Sequence, residues 1–455
     1  MKILTYTSFL AIIVLFTELI NLRRFIAPIV VLGLLAIAAV SYSELSSAPQ
    51  FFFNNMLLSD RYSTAFSLLL IFITIFTIIL SVRFYRDQSE KYSDYVAIKL
   101  FALAGAIAMV SFSNLTMFFI GLEIMSISFY ILAGTNKRDL KSNEAAMKYF
   151  LMGAFASGVL LMGIALIYGA SGSFYIADIS RYAQVKGGDI IFQVGMVLIL
   201  ISMLFKVGAV PFHFWSPDVY EGSPVLVTSF MSTLGKVASF VAFYKLFSTC
   251  FLGSKDLYEY VLIASIIATI IVANFSALRQ DSMRRLLAFS GIVNAGYMLM
   301  AILLVSFDGN PSSLFYFSLA YILSSFAVFS SVLYVFEATG KDDIESFRGL
   351  AKSSPVMAAI LVIGLLSMAG LPPFAGFLAK YYLFSQAINM GYVWLAFFAI
   401  VFSAVSVYYY LKVTFVLYSQ SENTFQSPSK IYLFVGVIAV VFLILAGILP
   451  DFLLV

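Results

Sequence analysis

The sequence predicts an all-α polytopic membrane protein, and three observations carry that expectation. Of its 455 residues 62% are hydrophobic and only 11% are charged, where a soluble chain carries about a quarter charged. Apolar runs of about 20 residues, long enough to cross a bilayer as a helix, recur from one end to the other. The short alternating segments of a membrane β-barrel are not visible.

These runs lie near 3–20, 25–42, 63–83, 95–112, 115–134, 146–170, 190–210, 223–250, 258–277, 285–306, 312–338, 355–388, 391–418 and 431–453, about fourteen spans in all. The first superficially resembles a signal peptide. It has no convincing small-x-small cleavage site, and its basic pair Arg23-Arg24 follows the apolar run, so a retained helix is expected. The stretch FFFNNMLL at 51–58 is too short to span and is expected along the interface. The longest polar connections, near 43–62 and 171–189, leave no room for a soluble domain.

Alternate connections differ in basic content. One set holds Arg23, Arg24, Arg83, Arg86, Lys137, Arg138, Arg284, Arg285 and others, whereas the opposite set holds only Arg61, Arg181, Lys186 and Lys255. The positive-inside rule then places both termini on the outer side, as an even number of spans requires.

Two interruptions divide the chain. LFKVGAVPFHFW and LSMAGLPPFAGFLAK each put Pro and Gly inside an apolar run, and each falls in the fourth span of a five-span block. The expected organisation is a three-helix segment over 1–94, a five-helix repeat over 95–250, a second repeat over 258–418 and a C-terminal helix over 431–455. An odd number of spans per block inverts the second relative to the first. Inverted repeats with paired broken helices are a transporter pattern, in which the freed backbone lines a cavity or water file.

Composition excludes several functions. One cysteine, Cys250, and one histidine, His213, cannot build an iron–sulfur cluster, a zinc site or a bis-histidine haem. The net charge of +4 contains no long basic run, so nucleic acid is not an expected partner.

Within the apolar runs stand Glu123, Lys206, Lys236 and Lys380. A charge near the centre of a membrane helix costs roughly 2.5–3.5 kcal/mol on insertion scales and marks an ion or proton path. Glu123 fits either a protonated carboxyl joining two helices or a counter-ion for Lys206, a pairing that favours both charged forms. Lys206 precedes Pro211, which would clash with the Val207 carbonyl in an unbroken helix; a lysine snorkelling to the interface is the alternative. Lys236 lies too deep for that. Lys380 follows the second break, and burial shifts a lysine's proton affinity readily. His213 titrates near neutrality and fits either the proton file or the aromatic cluster Phe212, Phe214 and Trp215. Glu144 and Lys148 read as a helix-end ion pair. Lys99, Lys245, Lys412, Glu18 and Glu337 read as interface or docked groups near span ends.

The stretch LFKVGAVPFHFWSPDVYEGSPVLVTSFMSTLGKVASF closely resembles the core of the subunit N family of proton-pumping NADH–quinone oxidoreductase, respiratory complex I. GLEIMSISFYIL, NEAAMKYFLMGAFASG, MRRLLAFSGIVNAGYML and LSMAGLPPFAGFLAKYYLF fit the same family in the same order, over essentially the whole chain. The histidine-rich variant of the L and M subunits is absent; the equivalent here runs from Trp215 to Gly222.

The resemblance implies a membrane-arm subunit, in a bacterial inner membrane, that moves protons while quinone is reduced elsewhere. Glu123 would pair with Lys206, Lys236 would pass the proton across the subunit, and Lys380 would end the file, with His213 as a further candidate. Flavin mononucleotide and iron–sulfur clusters would sit in partner subunits, with none in this chain. Partners would be the antiporter-like subunit M, the small membrane subunits, lipid, protons and internal water. A cation/proton antiporter subunit shares the expected fold. A membrane transferase would instead need a polar cluster at one face, for which Asp218, Glu221 and His213 are the nearest candidates.

Overall fold

The computed structural model describes residues 2–19, 23–85, 91–186, 189–305, 311–420, 425 and 429–450. Arg86 and the end of the expected C-terminal helix, 451–455, lie outside them.

The chain is a helical bundle. Helices α1 (Lys2–Leu19), α2 (Ile26–Glu44) and α3 (Arg61–Phe84) precede α4 (Tyr92–Ser111), α5 (Leu115–Ala133) and α6 (Leu140–Ser171). A short α7 (Ile176–Lys186) leads to α8 (Ile190–Val207), α9 (Trp215–Gly222), α10 (Val225–Phe230) and α11 (Lys236–Thr249). Then come α12 (Lys255–Leu278), α13 (Met283–Leu303), α14 (Ser312–Thr339), the one-turn α15 (Leu350–Ser353), α16 (Pro355–Ala369), α17 (Ala375–Asn389), α18 (Val393–Tyr418) and α19 (Lys430–Ile448). Among the described residues, 12 helices are long and apolar enough to cross a membrane, counting 225–249 as one.

Three features depart from expectation. The stretch at 51–58 is an antiparallel hairpin, β1 (Gln50–Phe52) with β2 (Leu57–Ser59), pairing Phe51 with Leu58. Its turn places Phe53, Asn54 and Asn55 at φ 50°, 52° and 62°, a left-handed conformation that Asn tolerates better than most residues. The Ser113 amide and Tyr175 hydroxyl donate to the Met56 and Asn54 carbonyls, fixing the hairpin to the α4–α5 turn and to the start of α7. The polar connection at 171–189 contains the amphipathic helix α7. The run 223–250 changes to π-helix over Met231–Gly235, immediately before Lys236; such segments recur at functional sites.

Small residues set the helix spacing. A Cβ on Gly105 would lie 2.6 Å from the Met125 amide, and one on Gly121 2.6 Å from the Met109 amide, so α4 and α5 touch backbone to backbone. Gly163 and Gly195 do the same for α6 and α8. Between apolar helices in lipid, close approach of this kind replaces the hydrophobic drive available in water. An 18-residue stretch within the span 225–249 and one within α13 are wholly inside the bundle, whereas α6 and α18 keep Phe155, Phe397, Tyr408 and Phe415 exposed. The bundle centre is therefore the α10–α11 rod against α13.

Basic connections gather at one end. Arg83 pairs with Glu337, Arg284 with Asp342, and Arg285 with both Asp218 and Glu221 at 2.9 Å. A cavity of about 700 Å³ opens there between Arg83, Asn136, Ser223, Arg284 and Glu337. The opposite end holds the hairpin, Phe112, Tyr175 and Cys250 around a cavity of about 620 Å³.

Candidate functional site

Both broken helices stop on the same cap. At the end of α8, Gly208 takes φ 72°, and the Gly208 and Ala209 amides return to the Phe205 and Leu204 carbonyls. At the end of α16, Gly370 takes φ 85°, and the Gly370 and Leu371 amides return to the Ser367 and Leu366 carbonyls. This is the Schellman arrangement, which glycine enters without a Cβ clash. Pro211 and Pro372 follow and cannot resume the helix.

The freed backbone is satisfied by neighbouring hydroxyls. The Val210 amide donates to Thr269 Oγ1 and its carbonyl accepts from Ser265 Oγ, both at 2.9 Å from α12. At the second break, the Gly376 amide donates to Ser367 Oγ at 3.2 Å and Ser403 Oγ donates to the Ala369 carbonyl at 3.3 Å. In lipid an unsatisfied backbone group costs several kcal/mol, so these hydroxyls help the breaks to exist, and the Ala369 carbonyl also accepts from Lys380.

Each singled-out charge has a distinct setting. On α5, Glu123 accepts a short hydrogen bond from Ser157 of α6. Ser126, one turn on, accepts from Lys206 Nζ at 2.5 Å. Among the described residues no direct ion pair joins Glu123 to Lys206: the carboxylate is bonded to Ser157, and the amine to Ser126, about one turn further along α5. Lys236 is buried and donates to the Gly291 carbonyl of α13 at 2.6 Å. Its Nζ lies 5.9 Å from the Tyr321 ring centroid. Lys380 donates to the Ala369 carbonyl at 2.7 Å and to Ser403 Oγ at 2.8 Å, with the Tyr297 ring 4.9 Å away. Ala369 ends α16, so the amine sits at the negative end of a helix dipole, where cations are favoured.

Two small cavities join these settings. One, of about 20 Å³, is lined by Lys206 and Lys236 together with Tyr149, Trp215, Tyr220 and Ser239. The other, of about 10 Å³, is lined by Lys380 with Asn294, Tyr321, Ser324 and Ser367. A single water needs about 10–15 Å³ and two to four polar partners, so each has roughly the size of one molecule. Tyr321, beside Lys236, is also a wall of the second cavity.

The α13 stripe Gly291, Asn294 and Tyr297 was not singled out from sequence. Spaced three apart, these residues present a carbonyl to Lys236, an amide to the second cavity and a ring to Lys380. Asn294 in an apolar run was the available signal. A Cβ on Gly291 would lie 2.8 Å from Lys236 Nζ, so a larger residue there would displace the amine.

Other expectations are corrected. Lys99 and Lys245, read as span-end groups, are buried: Lys245 Nζ lies 3.3 Å from the Val110 carbonyl, over the Phe112 ring. Lys99 lies on the packed face of α4, and Lys245 lines the cavity at the hairpin end, which a one-dimensional reading could not reveal. Glu144 and Lys148 do pair, at 2.6 Å, but Lys148 also reaches Asp218 at 2.9 Å. Asp218 and Glu221 are therefore held by Lys148, Lys141 and Arg285, and His213 stands apart, its Nδ1 without a hydrogen-bond partner among the described residues. Burial raises the Asp218 carboxyl, but Lys148 and Arg285 outweigh it and hold it below the usual carboxylate value. His213 is buried beside Phe214 and lines neither small cavity. Among the described residues, no group of three or more His, Cys, Asp or Glu side chains could hold a metal ion.

Membrane-length helices, two of them interrupted, around a row of buried lysines define an antiporter-like membrane subunit. Residues 113–406 match the family described as NADH:quinone oxidoreductase/Mrp antiporter, TM. The chain is 45% identical over 452 residues to NADH-quinone oxidoreductase subunit N of Flavobacterium psychrophilum, covering 99% of each chain. It is 46% identical over 454 residues to the subunit N of Flavobacterium johnsoniae, covering 98% of this chain and 97% of that one. A chain of respiratory complex I from Thermus thermophilus with bound aureothin superposes with a TM-score of 0.85 at 30% identity, covering 99% of this chain and 98% of that one. A chain of the Mrp complex from Dietzia shares the fold, at a TM-score of 0.86 and 20% identity, over 99% of this chain and 95% of that one. The chain belongs to the subunit N family of NADH-quinone oxidoreductase, as a proton-translocating, antiporter-like, multi-pass membrane subunit of respiratory complex I.

Proposed function

We propose that Glu123, Lys206, Lys236 and Lys380 form a proton relay running across the middle of the membrane, driven by quinone reduction in other subunits of the complex. What supports this reading most is the position of Lys236: it shares one water-sized cavity with Lys206 and, through Tyr321, adjoins another lined by Lys380. A change reaching α5 that moves Glu123 weakens the field holding the Lys206 ammonium. Inside a low-dielectric bundle such fields are strong. Lys206 then releases its proton toward Lys236, and Lys380 delivers it from the second break. His213 enters as an auxiliary exchange site, on the strength of a ring nitrogen, Nδ1, that has no hydrogen-bond partner among the described residues.

The organisation proposed with it is fourteen spans, with α1 and the α16–α17 pair added to the 12 long apolar helices. A three-helix segment over 1–94 precedes inverted five-helix repeats over 95–250 and 258–418 and a last helix over 431–455; the matched caps at Gly208 and Gly370 support the pairing of the repeats. Both termini face the outer side of a bacterial inner membrane, with the basic end inward. Subunit M and the small membrane subunits are its neighbours, and the flavin and iron–sulfur clusters belong to other subunits.

The test is Lys236→Ala in the assembled complex. Proton translocation is expected to collapse; normal pumping alongside normal quinone reduction would remove Lys236 from the path.

A further inference from the structure

A fifth lysine lies deep in the bundle, away from the file. Lys99 is 0% exposed and, among the described residues, its Nζ has no hydrogen-bond partner. It stands 4.9 Å from the ring centroid of Tyr85, whose hydroxyl is also buried and has no partner among the described residues. Two such polar groups on neighbouring side chains are unusual, because buried polar atoms are nearly always bonded to protein or to water.

The surroundings indicate where water would come from. Tyr85 follows the end of α3 and is also a wall of the large polar cavity at the basic end. On α4, Tyr92, Tyr95 and Lys99 recur at helical spacing and form one stripe, and Tyr92 Oη is bonded to Ser81 Oγ at 3.0 Å. The next positions on that stripe, Leu103 and Ala106, are buried and apolar. The polar stripe thus starts at the basic end, passes Tyr85 and stops at Lys99. Among the described residues no ion pair or hydrogen bond holds the amine.

We infer that Lys99 and Tyr85 form a proton-binding site filled from the basic-end cavity, a blind store that supplies the relay through that cavity. This rests on the proposed reading that the chain moves protons. In the step itself, a hydronium in the cavity gives its proton to the neutral Lys99 amine, an N–H bond forms as an O–H bond breaks, and water remains. Release is the reverse, with the Tyr85 hydroxyl bonded to the intervening water.

The experiment compares Lys99→Met, Tyr85→Phe and Lys236→Ala in the intact complex, reading protons translocated per quinone reduced. Lys99→Met keeps the stem and removes the charge; Tyr85→Phe keeps the ring and removes only the hydroxyl. Both are expected to lose translocation per quinone, the second by less. Wild-type ratios in both, with Lys236→Ala defective, overturn the site and leave the relay standing. A wild-type ratio in Lys236→Ala instead overturns the relay. Should Lys99→Met fail to assemble, Tyr85→Cys is exposed to a membrane-impermeant thiol reagent from the basic-end side, and the separated subunit is weighed by mass spectrometry. Modification at residue 85 is expected; none overturns the access route and the site with it.

Discussion

The break after α8 and the break after α16 share a left-handed glycine, a pair of returning amides and a proline, yet they hold their lysines differently. Lys206 comes before Gly208 and rests on the Ser126 hydroxyl, within the field of Glu123. Lys380 comes after Gly370 and reaches back to the Ala369 carbonyl and Ser403. The first amine therefore has an acidic handle on another helix, which motion of α5 can change. The second is governed by the geometry of its own break. Crowding differs too. A Cβ on Gly208 would meet nothing closer than 3.7 Å, whereas one on Gly376 would lie 1.8 Å from the Ser367 carbonyl. Gly447 of α19 is equally tight against Pro373, so the second break is braced from outside its own repeat.

The largest effect that separates the two breaks is steric. Gly376→Ala is expected to abolish incorporation of the subunit, since backbone must move. Gly208→Ala should cost only the about 1–2 kcal/mol of a left-handed non-glycine residue and leave the complex assembled. Membrane abundance of the subunit by immunoblot checks both, and equal losses would erase the contrast.

Charge gives the next contrast. Glu123→Gln keeps the acceptor from Ser157 and removes the field on Lys206, so proton translocation should fall severalfold with the complex intact. Ser403→Ala removes one bond from Lys380, worth about 1 kcal/mol, while the Ala369 carbonyl still holds the amine, so its effect should be slight. Quinone-linked proton uptake in vesicles measures both. A larger loss from Ser403→Ala would reverse the assignment of control to the first break.

The smallest effect concerns the ion cluster below the first break. Asp218 is held ionised by Lys148 and Arg285, with its carboxyl below the ordinary value of 3.8. Its contribution is complete above that value and is lost as pH falls through the lower, folded value. Asp218→Asn should therefore lower the thermal stability of the complex slightly at neutral pH, and the difference should shrink in acid below about pH 4. A difference independent of pH would mean the carboxylate charge is not what matters.

Much of this was legible in one dimension. Pro211 and Pro372 each forbid an intact helix, and Lys236 had nowhere to snorkel, so the breaks and the central amine followed from local chemistry. Lys99 and Lys245 were misread because depth along a run does not say how closely neighbouring helices crowd that level. The α13 stripe was invisible for another reason. A backbone carbonyl at Gly291 carries no side-chain signature, and its value appears only when Lys236 arrives opposite it.

By itself, then, the sequence determined a membrane-spanning helical chain, its two interruptions and its central charges. Hydrophobicity, proline's missing amide and the cost of charge in lipid act residue by residue along the chain. It was the tertiary packing that brought Ser126 of α5 to Lys206, set α13 against two lysines, and left Lys99 and Tyr85 without partners among the described residues. Those outcomes depend on which helix faces which at a given height, and glycines such as Gly105, Gly121 and Gly163 set that distance through contacts between distant parts of the chain.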